Sequence, residues 1–104
     1  LRLPDVAWIS PERLPEEVPV GPWRIAPDLA VEVVSPTNRV GDMRARVLDY
    51  LEAGARHVWV IDPETRSALV YRSRIDILLL AGDDDLTAED LLPGFRLRLP
   101  TLFR

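Results

Sequence analysis

The longest runs of apolar residues predict two buried strands. Residues 28–34 are almost continuously apolar after the opening Asp28, with valines toward the end and Glu32 as the one charged interruption. Residues 57–61 form a second hydrophobic run, which Asp62 and Pro63 end. Such continuous runs are typical of strands covered on both faces of a sheet.

Between these runs the spacing changes to that of a helix, predicted from about 39 to 53. One apolar stripe follows the i, i+4, i+7, i+8 spacing of a helix face: Met43, Val47, Tyr50 and Leu51. Residues 35–38 break the strand and offer N-cap side chains, and Gly54 is suited to end the helix. The stripe is therefore expected to pack on the sheet.

Before this unit, residues 3–9 predict a short strand with Pro4 at its start, where a missing N–H does least harm. The proline-rich stretch 11–22 predicts a connector, because so many prolines suit neither a helix nor a central strand. Strand, connector and strand thus lead into the helix.

After this unit the chain is predicted to be mostly β. The expected elements are strands at 67–72 and 75–80 around a tight turn at 73–74, an acidic loop at 82–90 with at most one helical turn from Thr87, and a last strand at 95–99. The fold class is therefore α/β or α+β, with a mixed sheet and one principal helix.

The composition narrows the class of protein. A length of 104 residues suits a single domain, 1–104, and the start on strand-like sequence without Met leads us to expect an N-terminally incomplete one. The absence of long apolar runs and of a targeting segment predicts a cytoplasmic protein without membrane contact. Without cysteine there is no disulfide scaffold or thiol nucleophile, and the single His57 excludes a multi-histidine metal site, so we expect it to be structural.

The negative net charge of the chain does not exclude binding to nucleic acid. The net charge of −4 repels nucleic acid on average, but five of the acids lie within 83–90, so an anion-binding face elsewhere stays open. We expect the acidic stretch to be solvated and to lie away from bound DNA. All 13 basic residues are arginine, which excludes any mechanism that needs a lysine.

Two acids are the candidates for chemistry. Glu32 lies among valines, where an ionised carboxylate is costly unless it is paired or bound to a metal. Asp5 follows Pro4 in the first strand. If the two strands are neighbours, both carboxylates and the Val33 carbonyl could hold one hard cation, Mg²⁺ or Mn²⁺. The alternative is that Glu32 faces solvent or pairs with an arginine.

Several segments resemble a bacterial restriction-endonuclease-like family of the PD-(D/E)XK nuclease superfamily. Pro4-Asp5 followed by Glu32-Val33-Val34 is similar to its metal-binding motif. The other matching segments are 27–36, Asp42, Tyr50, 53–54, 58–63 and 92–95. The resemblance implies a PD-(D/E)XK core, Mg²⁺-dependent hydrolysis of DNA phosphodiester bonds, and Asp5 and Glu32 as catalytic, metal-binding acids.

The chain departs from the motif at its lysine. That position is Val34, and the resemblance places the family's displaced basic residue at Arg46 on the helix. Arginine can clamp a phosphate or an oxyanion, but it does not act as a general base near neutral pH. The alternative for Arg46 is a surface ion pair with Asp42 or Asp49.

Two functions therefore stay open. One is an endonuclease with Asp5, Glu32 and Arg46 as its catalytic residues and DNA as its substrate. The other is a catalytically inactive relative that uses the fold as a binding or assembly module. A homodimer is a further option, because an exposed sheet edge in so small a chain would need covering.

Overall fold

A computed structural model describes residues 3–14, 16 and 26–104. Its centre is a five-strand mixed sheet in which the strands follow one another in chain order. These strands are β1 (Val6–Trp8), β2 (Leu29–Val33), β3 (His57–Asp62), β4 (Ser67–Tyr71) and β5 (Ile77–Ala81). Strands β2 and β3 are parallel, and every other neighbouring pair is antiparallel. The fold is α+β, and the predicted strand and helix order through β5 is confirmed.

Helix α1 (Val40–Glu52) makes the crossover between the parallel strands β2 and β3. It ends in a left-handed Gly54 with φ 110°, where the amides of Gly54 and Ala55 donate to the carbonyls of Leu51 and Tyr50. This is the glycine stop that the sequence predicts. Residues 35–38 do not cap the helix, because Ser35 and Asn38 bond to each other in a preceding turn and Arg39 takes the N-cap position.

The sheet is covered on both faces. Alternate residues of β3 point to opposite sides: Val58 and Val60 pack under α1, and Trp59 and Ile61 pack under the C-terminal residues. On the α1 side, Met43, Val47 and Tyr50 are buried as their spacing predicts, while Leu51 is only half-buried. The continuous apolar run of β3 is explained by this double coverage.

The C-terminal layer corrects the sequence predictions. The acidic stretch contains a strand, β6 (Asp85–Thr87), which pairs antiparallel with β7 (Arg96–Arg98) in a second, two-strand sheet. The last strand is shorter than expected because a 3₁₀ helix, Leu99–Phe103, follows it directly. Leu86 and Leu99 bury against the main sheet, and this burial fixes elements with little propensity of their own.

The connector is described only at its ends. Pro11–Arg13 form one 3₁₀ turn, a helical element that the proline count did not predict, and most of 15–25 lies outside the described residues. The β4–β5 connection is a five-residue turn, 72–76, in which the Arg72 amide donates to the Asp76 carbonyl. It is longer than the predicted 73–74 turn, so β5 begins at Ile77 rather than at 75.

Candidate active site

Glu32 lies on β2, and Asp5 immediately precedes the neighbouring strand β1. In the antiparallel register Val6 is opposite Val31, and continuing it by one residue places Asp5 opposite Glu32. Directly opposite residues of an antiparallel pair project from the same face of the sheet. The topology therefore brings Asp5 and Glu32 to the same place at the end of β2.

The side chain of Asp5 is hydrogen-bonded to the backbone of β2. Its Oδ2 accepts a hydrogen bond from the Val33 amide at 2.7 Å. The Val34 amide instead donates to the Ile61 carbonyl of β3. The backbone groups of Val33 therefore face β1, and those of Val34 face β3. Because the N–H and C=O of one strand residue face the same side, the Val33 carbonyl faces the Asp5 side.

Glu32 is one of the most buried residues in the chain, with 1% of its surface exposed. Both of its carboxylate oxygens have partners on α1: the Tyr50 hydroxyl donates to Oε1 at 2.6 Å, and Arg46 Nη1 donates to Oε2 at 3.2 Å. These partners satisfy a carboxylate whose burial would otherwise cost several kcal/mol, roughly 3–5 if a buried pair is broken. Of the two alternatives for Glu32, exposure to solvent is wrong and pairing with an arginine is confirmed.

The helical spacing explains why these two donors meet one acceptor. Arg46 and Tyr50 are four residues apart and so lie one above the other on the helix surface. Tyr50 continues the buried stripe with Met43 and Val47, while Arg46 lies at its border with 35% of its side chain exposed. The guanidinium therefore touches both the buried carboxylate and solvent.

The lysine position of the motif carries no charge in this chain. Val34 is half-buried and packs against the α1-side cluster. Arg46 is the basic side chain that the structure places on Glu32, in an ion pair with it.

The oxygens at this site suit a hard cation. Two carboxylates and one backbone carbonyl are ligands that Mg²⁺ accepts, with water and phosphate oxygens completing its shell. No cluster of three or more His, Cys, Asp or Glu side chains suited to a metal occurs within residues 3–14, 16 and 26–104. The set thus fits Mg²⁺ only as a two-carboxylate site, and a cation at Glu32 Oε2 would compete with Arg46.

A second buried acid, Asp28, stands at the start of β2. Its Oδ2 accepts from the Ser10 amide at 2.8 Å, and its Oδ1 is 2.8 Å from Arg13 Nη1. Burial acts to raise the pKa of Asp28, but the Ser10 hydrogen bond and the Arg13 guanidinium outweigh it and hold the pKa below its ordinary value of 3.8. Asp28 thus ties the 3₁₀ turn to the start of β2.

His57 is buried at the start of β3, away from the two acids. Its Nε2 lies 2.9 Å from Asp90 Oδ1, and the Trp59 indole donates to its Nδ1 at 3.4 Å. The Asp90 contact joins residues 33 apart, so no local sequence signal could have predicted it. Together with the Asp85–Arg96 ion pair it shows that the acidic stretch is partly paired within the fold, not simply solvated.

The mixed five-strand sheet with its crossover helix has the restriction-endonuclease-like architecture. A model of the Uma2 family, described as "putative restriction endonuclease", matches residues 1–100, so the chain belongs to this family. No curated protein matches it significantly.

A solved structure supports the same assignment. The chain resembles a crystal structure described as "a putative nuclease belonging to DUF820" from Anabaena variabilis, with a TM-score of 0.69 and 26% sequence identity. The match covers 76% of this chain and 45% of that one, so the chain spans less than half of its neighbour. In the part of the chain that the structure describes, no helix is long and apolar enough to cross a membrane.

Proposed function

We propose that the protein is a Mg²⁺-dependent endonuclease that hydrolyses phosphodiester bonds in DNA. The observation that carries the proposal is the juxtaposition of Asp5, Glu32 and the Val33 backbone at one end of β2 in a chain of this family. Two acids and a backbone carbonyl, from β2 and from the residue that precedes β1, are an oxygen ligand set suited to Mg²⁺.

In this proposal Asp5, Glu32 and the Val33 carbonyl would hold the cation. When bound, Mg²⁺ would lower the pKa of a coordinated water and stabilise the departing oxygen. Tyr50 orients the Glu32 carboxylate through its 2.6 Å hydrogen bond, so that one rotamer of Glu32 is kept at the strand end. The Asp5–Val33 hydrogen bond does the same for Asp5.

Arg46 would act on the substrate. Its guanidinium is already at the carboxylate and partly exposed, so it can exchange its hydrogen bond to Glu32 for one to a phosphate oxygen. Its positive charge would then stabilise the extra negative charge of the transition state. Because arginine keeps its proton, activation of the water falls to the metal.

A second candidate is a catalytically inactive relative that binds or assembles. The specific observation in its favour is the Glu32–Arg46 ion pair, which satisfies the buried carboxylate without a metal, next to a valine at the motif's lysine position. In this case the acid is structural, and neither divalent cations nor DNA cleavage depend on it.

Cleavage of plasmid DNA by the complete gene product, with Mg²⁺ or Mn²⁺ and with EDTA, separates the two candidates. The sharpest variant is Asp5→Asn, because an asparagine oxygen still accepts from the Val33 amide while the metal-binding charge is lost. The matched control is Asp62→Asn, an acid at the end of β3 that accepts amides of its own turn. We expect metal-dependent cleavage that Asp5→Asn removes and Asp62→Asn retains. A parent protein that neither binds Mg²⁺ nor cleaves would favour the inactive relative.

A further inference from the structure

Strand β5 forms the edge of the main sheet opposite to the candidate active site. It pairs with β4 on one side, and among the described residues no strand pairs with its other side. All five of its residues, Ile77–Ala81, are apolar, and Leu79 is 67% exposed. An apolar strand with unpaired backbone groups is a template for pairing with another strand.

The hydrogen bonds of β4 determine which backbone groups of β5 face outward. The Arg72 amide donates to the Asp76 carbonyl, so that pair is a hydrogen-bonded one, and the alternation of an antiparallel ladder makes the Leu78 and Leu80 backbones face β4 as well. The N–H and C=O groups of Ile77, Leu79 and Ala81 therefore face away from the sheet.

Both outward groups of Ala81 are already used. The Ala81 amide donates to Asp84 Oδ2 at 2.9 Å, and the Ala81 carbonyl accepts from the Asp84 amide at 3.1 Å, which closes the turn after β5. Ile77 and Leu79 thus present a donor and an acceptor each. The outward groups of Leu79 can pair with those of Leu79 in an antiparallel copy of the strand.

Apolar surface continues onto both faces of β5. On the α1 face, Leu79 borders a cavity of about 250 Å³ together with Met43 and Tyr71. On the opposite face, Leu78 and Leu80 border another cavity. A neighbouring strand would cover apolar surface on both sides of the sheet.

The charges at the two ends of β5 are opposite. Arg74 lies in the turn before the strand, where Arg72 and Asp76 neutralise each other. After the strand Asp83 is paired with Arg98, which leaves the negative charge of Asp84 at this end. An antiparallel copy of β5 would bring the basic end of each strand to the acidic end of the other. A parallel arrangement would place like charges together.

We propose that β5 pairs antiparallel with β5 of a second copy of this chain, around a twofold axis at Leu79, to form a continuous ten-strand sheet. The two Leu79 residues exchange both backbone hydrogen bonds. The Ala81 amide and carbonyl of each copy keep their hydrogen bonds to Asp84. Such an interface is isologous, as in most homodimers.

Cysteine cross-linking tests the register, because the chain contains no cysteine. The Cα atoms of a directly opposite hydrogen-bonded pair are about 5.5 Å apart, within disulfide range. We expect Leu79→Cys to form a disulfide dimer under mild oxidation. The matched control is Ile77→Cys: in this register the two copies of residue 77 are offset by four positions, about 13 Å, and should not cross-link. Equal cross-linking of both variants, or none at residue 79, would overturn the proposal.

The mass of the complete protein in solution, by light scattering, tests the dimer itself. We expect a dimer for the parent, a folded monomer for Leu79→Asp, and a dimer for the control Leu102→Asp, an exposed leucine (40%) on the 3₁₀ helix of the other layer. Circular dichroism checks that each variant is folded. A monomeric parent would mean that another segment or another protein covers β5, and a dimeric Leu79→Asp would place the interface elsewhere; either result refutes the proposal.

Discussion

Asp28 and Glu32 lie four residues apart on one segment, both are buried, and each has an arginine partner, yet their surroundings differ. The partners of Asp28 are a backbone amide and Arg13, which fasten the turn at Pro11–Arg13 to the sheet. The partners of Glu32 are two side chains of α1, and one of them reaches solvent. A buried carboxylate held by backbone stabilises the fold, whereas one held by exchangeable side chains can also bind a ligand.

The largest expected effect is the loss of DNA cleavage when Glu32, but not Asp28, loses its charge. Glu32→Gln keeps an acceptor for the Tyr50 hydroxyl but removes the charge that a cation needs. We expect metal-dependent cleavage to fall to the EDTA background and Mg²⁺ binding to be lost in calorimetry. Asp28→Asn, assayed at a temperature where it is folded, serves as the control and should retain cleavage. If Glu32→Gln cleaves at the parent rate, Glu32 is not part of the active site.

The next effect concerns the partner of Glu32. Arg46→Ala should lower the single-turnover rate about 100-fold, or about 2.7 kcal/mol, because a charge on the phosphate is lost. Its Mg²⁺ affinity should be unchanged or higher, because a competitor for Glu32 Oε2 is removed.

Arg46→Lys should retain or raise the rate, since it restores a compact charge, and Arg44→Ala, an exposed arginine on the same helix, is the matched control. If Arg46→Ala cleaves as fast as the parent, Arg46 serves only as the ion-pair partner of Glu32.

A third effect concerns stability at low pH. The folded pKa of Asp28 lies below its ordinary value of 3.8, so the unfolded chain binds this proton first as the pH falls. Its contribution should be fully present above about pH 5 and should disappear as the pH drops through the folded pKa.

Asp28→Asn should lower the free energy of unfolding near neutral pH by about 1–3 kcal/mol and weaken this acid dependence. Urea titrations across pH 2–7 measure both effects. The control is Asp76→Asn, an exposed acid in the β4–β5 turn, with a change near zero. An acid dependence identical to the parent's would show that Asp28 does not act as described.

The smallest effect tests the other partner of Glu32. Tyr50→Phe removes one hydrogen bond to a buried carboxylate and should cost about 1–2 kcal/mol of unfolding free energy by urea titration. Tyr71→Phe on β4, outside the site, is its control. A larger loss for Tyr71→Phe than for Tyr50→Phe would contradict the role given to this hydrogen bond.

The sequence predicted the elements whose patterns are long and regular. Strands β2 and β3 and helix α1 follow from continuous or 3.6-periodic apolar runs, and Glu32 is conspicuous only because its neighbours are apolar. Strand β6 has three residues, of which only Leu86 is apolar, so its pairing with β7 had no local signal.

The same limit applies to the long-range partners. Ser10 and Arg13 meet Asp28 only because the chain returns after the connector, and His57 meets Asp90 across 33 residues. Tertiary packing decides these contacts, and propensity carries no information about them. The family resemblance pointed to Arg46, while its hydrogen bond to Glu32 is a contact between two elements that only the folded structure reveals.

Strand β1 is only three residues long and is clasped at both ends, by Asp5 on the Val33 amide and by the Ser10 amide on Asp28. So short a strand opens by local unfolding at a lower free energy than the sheet as a whole. Each opening of β1 moves Asp5 away from Glu32. The two acids are therefore close together only while β1 is paired with β2. Hydrogen exchange at the Val33 amide therefore reports how often the pair exists, and a cation shared by both acids would slow that exchange.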